Sequence, residues 1–326
     1  MSAIADDVTE IRVARGDGAG LLAALVSATS FGLSGPLARG LLDTGWSPGA
    51  VVLVRVALGA IVLAPLGVAS LRGRAAAVRR NVGLVLVYGV MAVAACQFCY
   101  FSAVRHMQVG PALLIEYAAP LLVVAWMWLR HGHRPGRVTL LGAALAVVGL
   151  VLVLDLVGGA SVSVAGVLWA VGAMVSVTAY FVINGDDTTG LPPLALAWLG
   201  LVVGAAGLAL LGVTGLMPLH GGGGEVAFAD GRTPWWLPLL LLGVVTAALS
   251  YATGVVAGRR LGSRVSSFLG LFEVLAAVLF SWLLLGELPG PVQLAGGLLV
   301  LAGVVAVRLG ESGVAAPGTP EATGSA

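Results

Sequence analysis

WLRHGHRPGRVTLLG (residues 128–142) and WLLLGELPGPVQLAG (282–296) are one ending written twice. At an offset of 154 residues, Trp128, Leu129, Gly132, Pro135, Gly136, Val138, Leu140 and Gly142 meet the same residue types at 282, 283, 286, 289, 290, 292, 294 and 296. The same offset, without a gap, sets Gly89 on Gly243 and Gly149 on Gly303. A match at fixed spacing over this length marks a duplicated unit.

Composition says what the unit is made of. Of 326 residues, 59% are hydrophobic and only 10% charged, with a mean hydropathy of +1.04; soluble domains carry about 25% charged residues. A helix crossing a bilayer needs roughly 20 apolar residues, and such runs are predicted at 20–41, 49–70, 82–104, 109–129 and 138–155, then at 163–183, 192–215, 235–258, 265–284 and 290–308. The expected fold is therefore all-α and polytopic, with ten transmembrane helices in two five-helix repeats, 20–155 and 163–308. A tail of residues 1–19 precedes them, and a Gly-, Ala-, Pro- and Ser-rich tail, 311–326, has the composition of a disordered segment. Asp6, Asp7 and Glu10 near the start are unlike a secretory signal, so the first span is expected to be retained. LHGGGGEVAFADGRTP (219–234) lacks the Lys and Ser/Thr of a phosphate loop and reads as a flexible exposed linker.

Five spans is an odd number, so the second repeat must enter the membrane from the opposite side. The charges agree. No lysine occurs, and all 17 basic residues are arginine. With the N-terminus in the cytoplasm, Arg12, Arg15, Arg72, Arg74, Arg79, Arg80, Arg130, Arg134, Arg137, Arg259, Arg260, Arg264 and Arg308 fall inside, against Arg39, Arg105 and Arg232 outside. Cytoplasmic loops accumulate arginine, so both termini are placed in the cytoplasm, and Trp46, Trp235 and Trp236 at the outer interface. Inverted repeats of this kind let many secondary transporters open a central site to either side.

Charged residues inside spans cost about 2.5–3.5 kcal/mol on insertion scales and usually face a bundle interior. Three stand out: Arg55, Glu116 and Glu273. Arg55 lies about 9 Å into its span at 1.5 Å per residue, and Glu116 lies at nearly the same depth from the same side, so the two pair directly, pair through a substrate or form a static structural bridge, or else Arg55 snorkels outward. Pro120 follows Glu116 by four residues and crowds its carbonyl, which predicts a helix kink offering a carboxylate and a freed carbonyl to a proton, a cation or an ammonium group, or one that only shapes packing. Glu273 aligns with Ala119 and reads equally as a coupling-proton site or a structural acid. Ser30, Gln97, Tyr100, Tyr117, Trp169, Tyr180, Ser250 and Tyr251 are the remaining polar and aromatic candidates; Gln97 and Tyr251 occupy equivalent positions in the two repeats. Cys96 and Cys99 read as small packing residues rather than a metal or redox pair.

VGPALLIEYAAPLLVVAWMWLRHGHRPGRVTLLGAALAVVGLVLV (109–153) and SSFLGLFEVLAAVLFSWLLLGELPGPVQLAGGLLVLAGVVAV (266–307) resemble the EamA-like branch of the drug/metabolite transporter superfamily. The resemblance covers nearly all of residues 20–308 and implies ten helices in inverted repeats, an inner-membrane location, and movement of small organic solutes, commonly amino acids or related metabolites and often outward. LLGE at Glu287 matches that family's second-repeat ending, whereas His133 stands at the equivalent point of the first. The expected function is a secondary transporter working with a small-molecule substrate and the lipid bilayer, with protons as a candidate coupling ion and with monomer and homodimer both open. A passive channel or sensor is the rival reading. A membrane-embedded enzyme is disfavoured because His106, His131, His133 and His220 lie in loops or at span ends, and no metal, cofactor or nucleic-acid motif accompanies them.

Overall fold

The computed structural model describes residues 18–119, 122, 136–153, 163–184, 191–269 and 271–312. Helices account for most of them: α1 (Gly18–Asp43), α2 (Pro48–Leu71), α3 (Val82–His106), α4 (Val109–Glu116), α5 (Arg137–Val153), α6 (Val164–Asn184), α7 (Pro193–Val213), α8 (Trp236–Gly243, continuing to Leu269), α9 (Phe272–Leu285) and α10 (Pro291–Ser312). α1, α2, α3, α7 and the Trp236–Gly254 part of α8 are long and apolar enough to cross a membrane, and Arg137–Val153, Val164–Ala179, Phe272–Leu285 and Pro291–Val307 are shorter apolar helices. Residues 1–17 of the expected N-terminal tail and 313–326 of the expected C-terminal tail lie outside the described residues, as does the whole 123–135 stretch.

The helix ends follow from local chemistry. Pro48 sits in the first turn of α2, where its missing N–H costs nothing, and Ser47 Oγ accepts the Ala50 N–H at 3.3 Å. α9 stops at Gly286, which takes φ +68°; the Gly286 N–H reaches the Trp282 carbonyl at 3.0 Å and the Glu287 N–H the Ser281 carbonyl at 3.2 Å. One expected end needs correction. α8 does not stop at 258: Arg259, Arg260 and Arg264 read as a loop, but no proline interrupts 254–269 and the backbone stays helical to Leu269, so the expected 265–284 span is divided between α8 and α9. The expected 20–41 span is present as α1, with a single turn residue at Leu33 between its two helical parts.

The duplication is visible in the packing. Tyr88–Ala95 in α3 and Val244–Leu249 in α8 are wound as π-helix, and an offset of 154 residues superposes them. α5 and α10 cross with glycines in contact: a methyl group on Gly142 would lie 2.7 Å from the Gly303 carbonyl oxygen, and one on Gly149 2.6 Å from that of Gly296. As numbering rises along one helix it falls along the other, so the two run antiparallel. Exchanging the repeats turns the first contact into the second, which places a two-fold axis through the crossing. Equivalent helices that run antiparallel across such an axis define inverted repeats. Between apolar helices in lipid the attraction is close van der Waals contact, and glycine permits it.

A second offset, 145 residues, relates α2 to α7. Both begin at a proline, Pro48 and Pro193. Leu58 packs on Gly243 where Val203 packs on Gly89, and Gly59 meets Ala247 where Gly204 meets Val93. Each of these helices is thus laid on the π-helical turn of the opposite repeat. Arg55 corresponds to Gly200, whose bare face is covered by the Tyr88 ring.

The 219–234 segment is not the flexible linker expected from its glycines. β1 (Glu225–Phe228) and β2 (Gly231–Pro234) form an antiparallel hairpin in which Val226 faces Thr233. Strand alternation puts Val226 and Phe228 on one face, and both press on Gly40 of α1. The Ala229 N–H donates to the Leu284 carbonyl at 2.7 Å, Trp235 stacks on Trp46 at 5.5 Å, and Ser47 Oγ both donates to the Pro218 carbonyl at 2.8 Å and accepts the His220 N–H at 2.9 Å. The four-glycine run obscured this alternation in the sequence.

Glu287 lies beside the same end of the bundle, its Oε2 accepting the Val109 N–H at 3.5 Å. Burial pushes its carboxyl above the ordinary value of 4.5, Arg39 and the Val109 N–H pull the other way, and Asp43 adds to the rise. A carboxyl that holds its proton more tightly when folded stabilises fully below its unfolded value and loses that contribution as pH climbs through the raised one. Glu287→Gln does not titrate. As pH rises from about 4, the unfolded carboxyl's range, the melting temperature of detergent-solubilised wild type should therefore fall relative to Glu287→Gln; parallel curves would contradict this.

Candidate substrate site

Gln97 Nε2 donates to Tyr251 Oη at 3.4 Å. These residues are equivalent under the 154-residue offset, and equivalent positions that touch each other must lie at the two-fold axis. The polar residues gathered around this contact come from both repeats.

Glu116 closes the helical run of α4, and the chain turns at Tyr117 and Ala118, whose N–H groups bond back to Leu113 and Ile115 at 2.9 and 3.1 Å. Its carboxyl is 7% exposed. Oε1 accepts the Cys96 thiol at 3.3 Å, and Oε2 has no partner among the described residues. Pro120, the expected cause of a kink, lies outside the described residues. Tyr117 Oη donates to Glu273 Oε2 at 2.6 Å, joining α4 to its counterpart α9.

Arg55 is 2% exposed on α2. Its Nη2 donates to the Thr246 carbonyl at 2.8 Å, inside the π-helical turn of α8, and its guanidinium stands 5.2 Å above the Phe101 ring. Nε has no acceptor among the described residues. Arg55 makes no direct bridge to Glu116: the ion pair found among the described residues is Arg39–Asp43 at 3.1 Å. Even so, Arg55, Glu116 and Glu273 are near enough to feel one another's charge. The cation and the acid share one neighbourhood, but the rotation of α2 aims the guanidinium at α8. π-Helical turns recur at functional sites because they displace backbone groups from the α register, and here Thr246 supplies such a carbonyl.

Among the other candidates, Tyr100 is buried with its hydroxyl against Gly35, near the same three charges. Tyr251 packs edge-on to Phe31 at 5.3 Å. Ser30 is buried in α1, and Ser250 accepts Ser27 Oγ at its carbonyl at 2.9 Å. Trp169 stands edge-on to Phe98 at 5.5 Å with 36% of its surface exposed, and is not drawn into the cluster. The side chain of Tyr180 lies outside the described residues. Sequence reasoning passed over Cys96 as a packing residue. Its equivalent is Ser250, so a small polar side chain precedes both Gln97 and Tyr251, and that pairing was the available signal.

Two inverted helical repeats around an axial polar cluster define a multi-pass membrane protein of the transporter kind. The model of the EamA-like transporter family matches residues 18–155 and again 164–309, and the chain belongs to this family, within the drug/metabolite transporter superfamily. It is 25% identical over 303 residues to the threonine/homoserine exporter RhtA of Salmonella typhimurium, with 90% of each chain covered. It is 28% identical over 272 residues to a probable terminal-alkyne amino-acid exporter of Streptantibioticus cattleyicolor, covering 81% of this chain and 83% of that one. A solved crystal structure superposes with a TM-score of 0.58 at 26% identity, covering 88% of this chain and 97% of the other. The resemblance of the two quoted stretches is thereby borne out.

Proposed function

We propose that the protein is a secondary transporter that exports a small organic solute, an amino acid or related metabolite, across the cytoplasmic membrane by alternating access. The observation that carries this reading is the axial contact of Gln97 with Tyr251, with Glu116 and Glu273 held beside it by partners from α3 and α4. A polar cluster on the axis between inverted halves has the same relation to both ends of the bundle, which a site that opens to each side in turn requires. The two exporter relatives above support the outward direction and the amino-acid class. Glu116 and Glu273 are the groups a coupling proton would occupy.

In this reading both termini are cytoplasmic and the hairpin faces outward. The chain contains no lysine, so single lysines can be introduced at Asp230 and at Arg74 and treated in spheroplasts with a membrane-impermeant amine reagent, with the parent chain as blank. Lysine at 230 should react and lysine at 74 should not; the reverse pattern would invert the orientation. Transport itself is tested in proteoliposomes by counterflow of amino acids, nucleosides, sugars and amphipathic cations. Saturable counterflow of one class is expected, whereas a fixed single-molecule conductance would make the protein a channel.

A further inference from the structure

A cation buried without an anion is costly, because desolvation is not offset by a partner charge. Arg55 is in that position: its fixed partners are a neutral carbonyl and an aromatic face, and its Nε is turned to no acceptor among the described residues. The two acids near it, buried Glu116 and half-buried Glu273, are engaged elsewhere, Glu116 by the Cys96 thiol and Glu273 by the Tyr117 hydroxyl. Glu116 Oε2 has no partner among the described residues. The cluster therefore presents an unmatched cation on α2 and an unmatched carboxylate oxygen on α4, each short of one partner of opposite charge.

We propose that Arg55 is the subsite for a substrate carboxylate and Glu116 Oε2 the subsite for its ammonium group, so that the ligand class is a zwitterionic amino acid with both groups free. This rests on the transporter reading above. Arginine suits the task because its planar fork stays charged when buried and accommodates a carboxylate through two N–H groups. The Thr246 carbonyl and Phe101 ring hold that fork in place before a ligand arrives. The equivalent position in the second repeat is Gly200, covered by Tyr88, so the carboxylate has one cationic subsite, on α2, rather than a symmetric pair.

The test is counterflow in proteoliposomes with two probes, a radiolabelled mixture of the common L-amino acids and the corresponding L-amino-acid amides, which lack the carboxylate. Wild type should exchange the acids at least about tenfold more effectively than the amides, and Arg55→Gln should lose that preference by about tenfold or more. Arg55→Lys, which keeps a point charge without the fork, should fall between them. Melting curves of all three proteins in detergent identify folding damage, which would depress both probes alike instead of removing the preference. If wild type exchanges acids and amides equally, or Arg55→Gln keeps the preference, the subsite is wrong and the transporter stands. Saturable exchange of nucleosides or sugars but not amino acids has the same meaning. If no solute class exchanges, both readings fall.

Discussion

Glu116→Gln should leave a folded, membrane-inserted protein whose counterflow is reduced by about tenfold to a hundredfold, the worth of one charge-assisted hydrogen bond. The substitution is nearly isosteric, and a glutamine Oε1 can still accept the Cys96 thiol at the place where the carboxylate now does so at 3.3 Å. What changes is the second oxygen. Oε2, without a partner among the described residues, becomes an NH2 group, a donor where an ammonium or a coupling proton requires an acceptor. Removing an ionisable group from a site 7% exposed also relieves desolvation, so the melting temperature should hold or rise. Loss of flux with retained stability is the signature of a ligand or proton site. Undiminished counterflow in vesicles would take Glu116 out of the mechanism, and a collapsed melting temperature would make it a structural residue.

The largest effect on stability is expected from Gly149→Leu. At this position even a single carbon would sit 2.6 Å from both the Gly296 carbonyl oxygen and the Val300 nitrogen, and backbone atoms of a neighbouring helix cannot rotate away as a side chain can. α5 and α10 would have to separate along their whole crossing, breaking the Gly142–Gly303 contact as well. Overpacking a well-filled interior costs about 1–3 kcal/mol and occasionally more; with backbone on the other side, the upper end or beyond is expected, seen as a lower melting temperature and loss of the monodisperse species in detergent. Gly207→Leu on α7 is the matched control, because no described residue lies within 4 Å of a Cβ there. Equal melting of the two variants would mean that the close crossing of α5 and α10 contributes little.

Much of this architecture was legible in the chain. Gly142, Gly149, Gly296 and Gly303 announced the duplication; that the same glycines meet where α5 crosses α10 is seen only in the fold. Gln97 and Tyr251 were recognised as equivalent, but that they touch depends on where the axis falls, which a linear alignment does not contain. The relation of α2 to α7 was hidden because it runs at 145 residues rather than 154, so an ungapped comparison of the later spans passes it by. Arg55 and Glu116 were assigned matching depth from the sequence, but depth fixes only one coordinate of a side chain on a helix. The rotation that turns Arg55 toward Thr246 and Phe101 comes from the packing of α2 on α8 through Leu58, Gly59, Gly243 and Ala247. The hairpin was missed for the opposite reason: its signal is local, two alternating apolar residues, but what holds it in place, Gly40, Trp46 and Leu284, is scattered across the sequence.

The docked hairpin also breaks the balance between the two faces of the bundle. It grows from the connection between α7 and α8, leans on α1, and is bonded to the last turn of α9 through the Ala229 N–H, so it ties elements of both repeats together at one end of the bundle. Under the alternating access proposed above, a clasp at one end alone would favour one of the two states over the other.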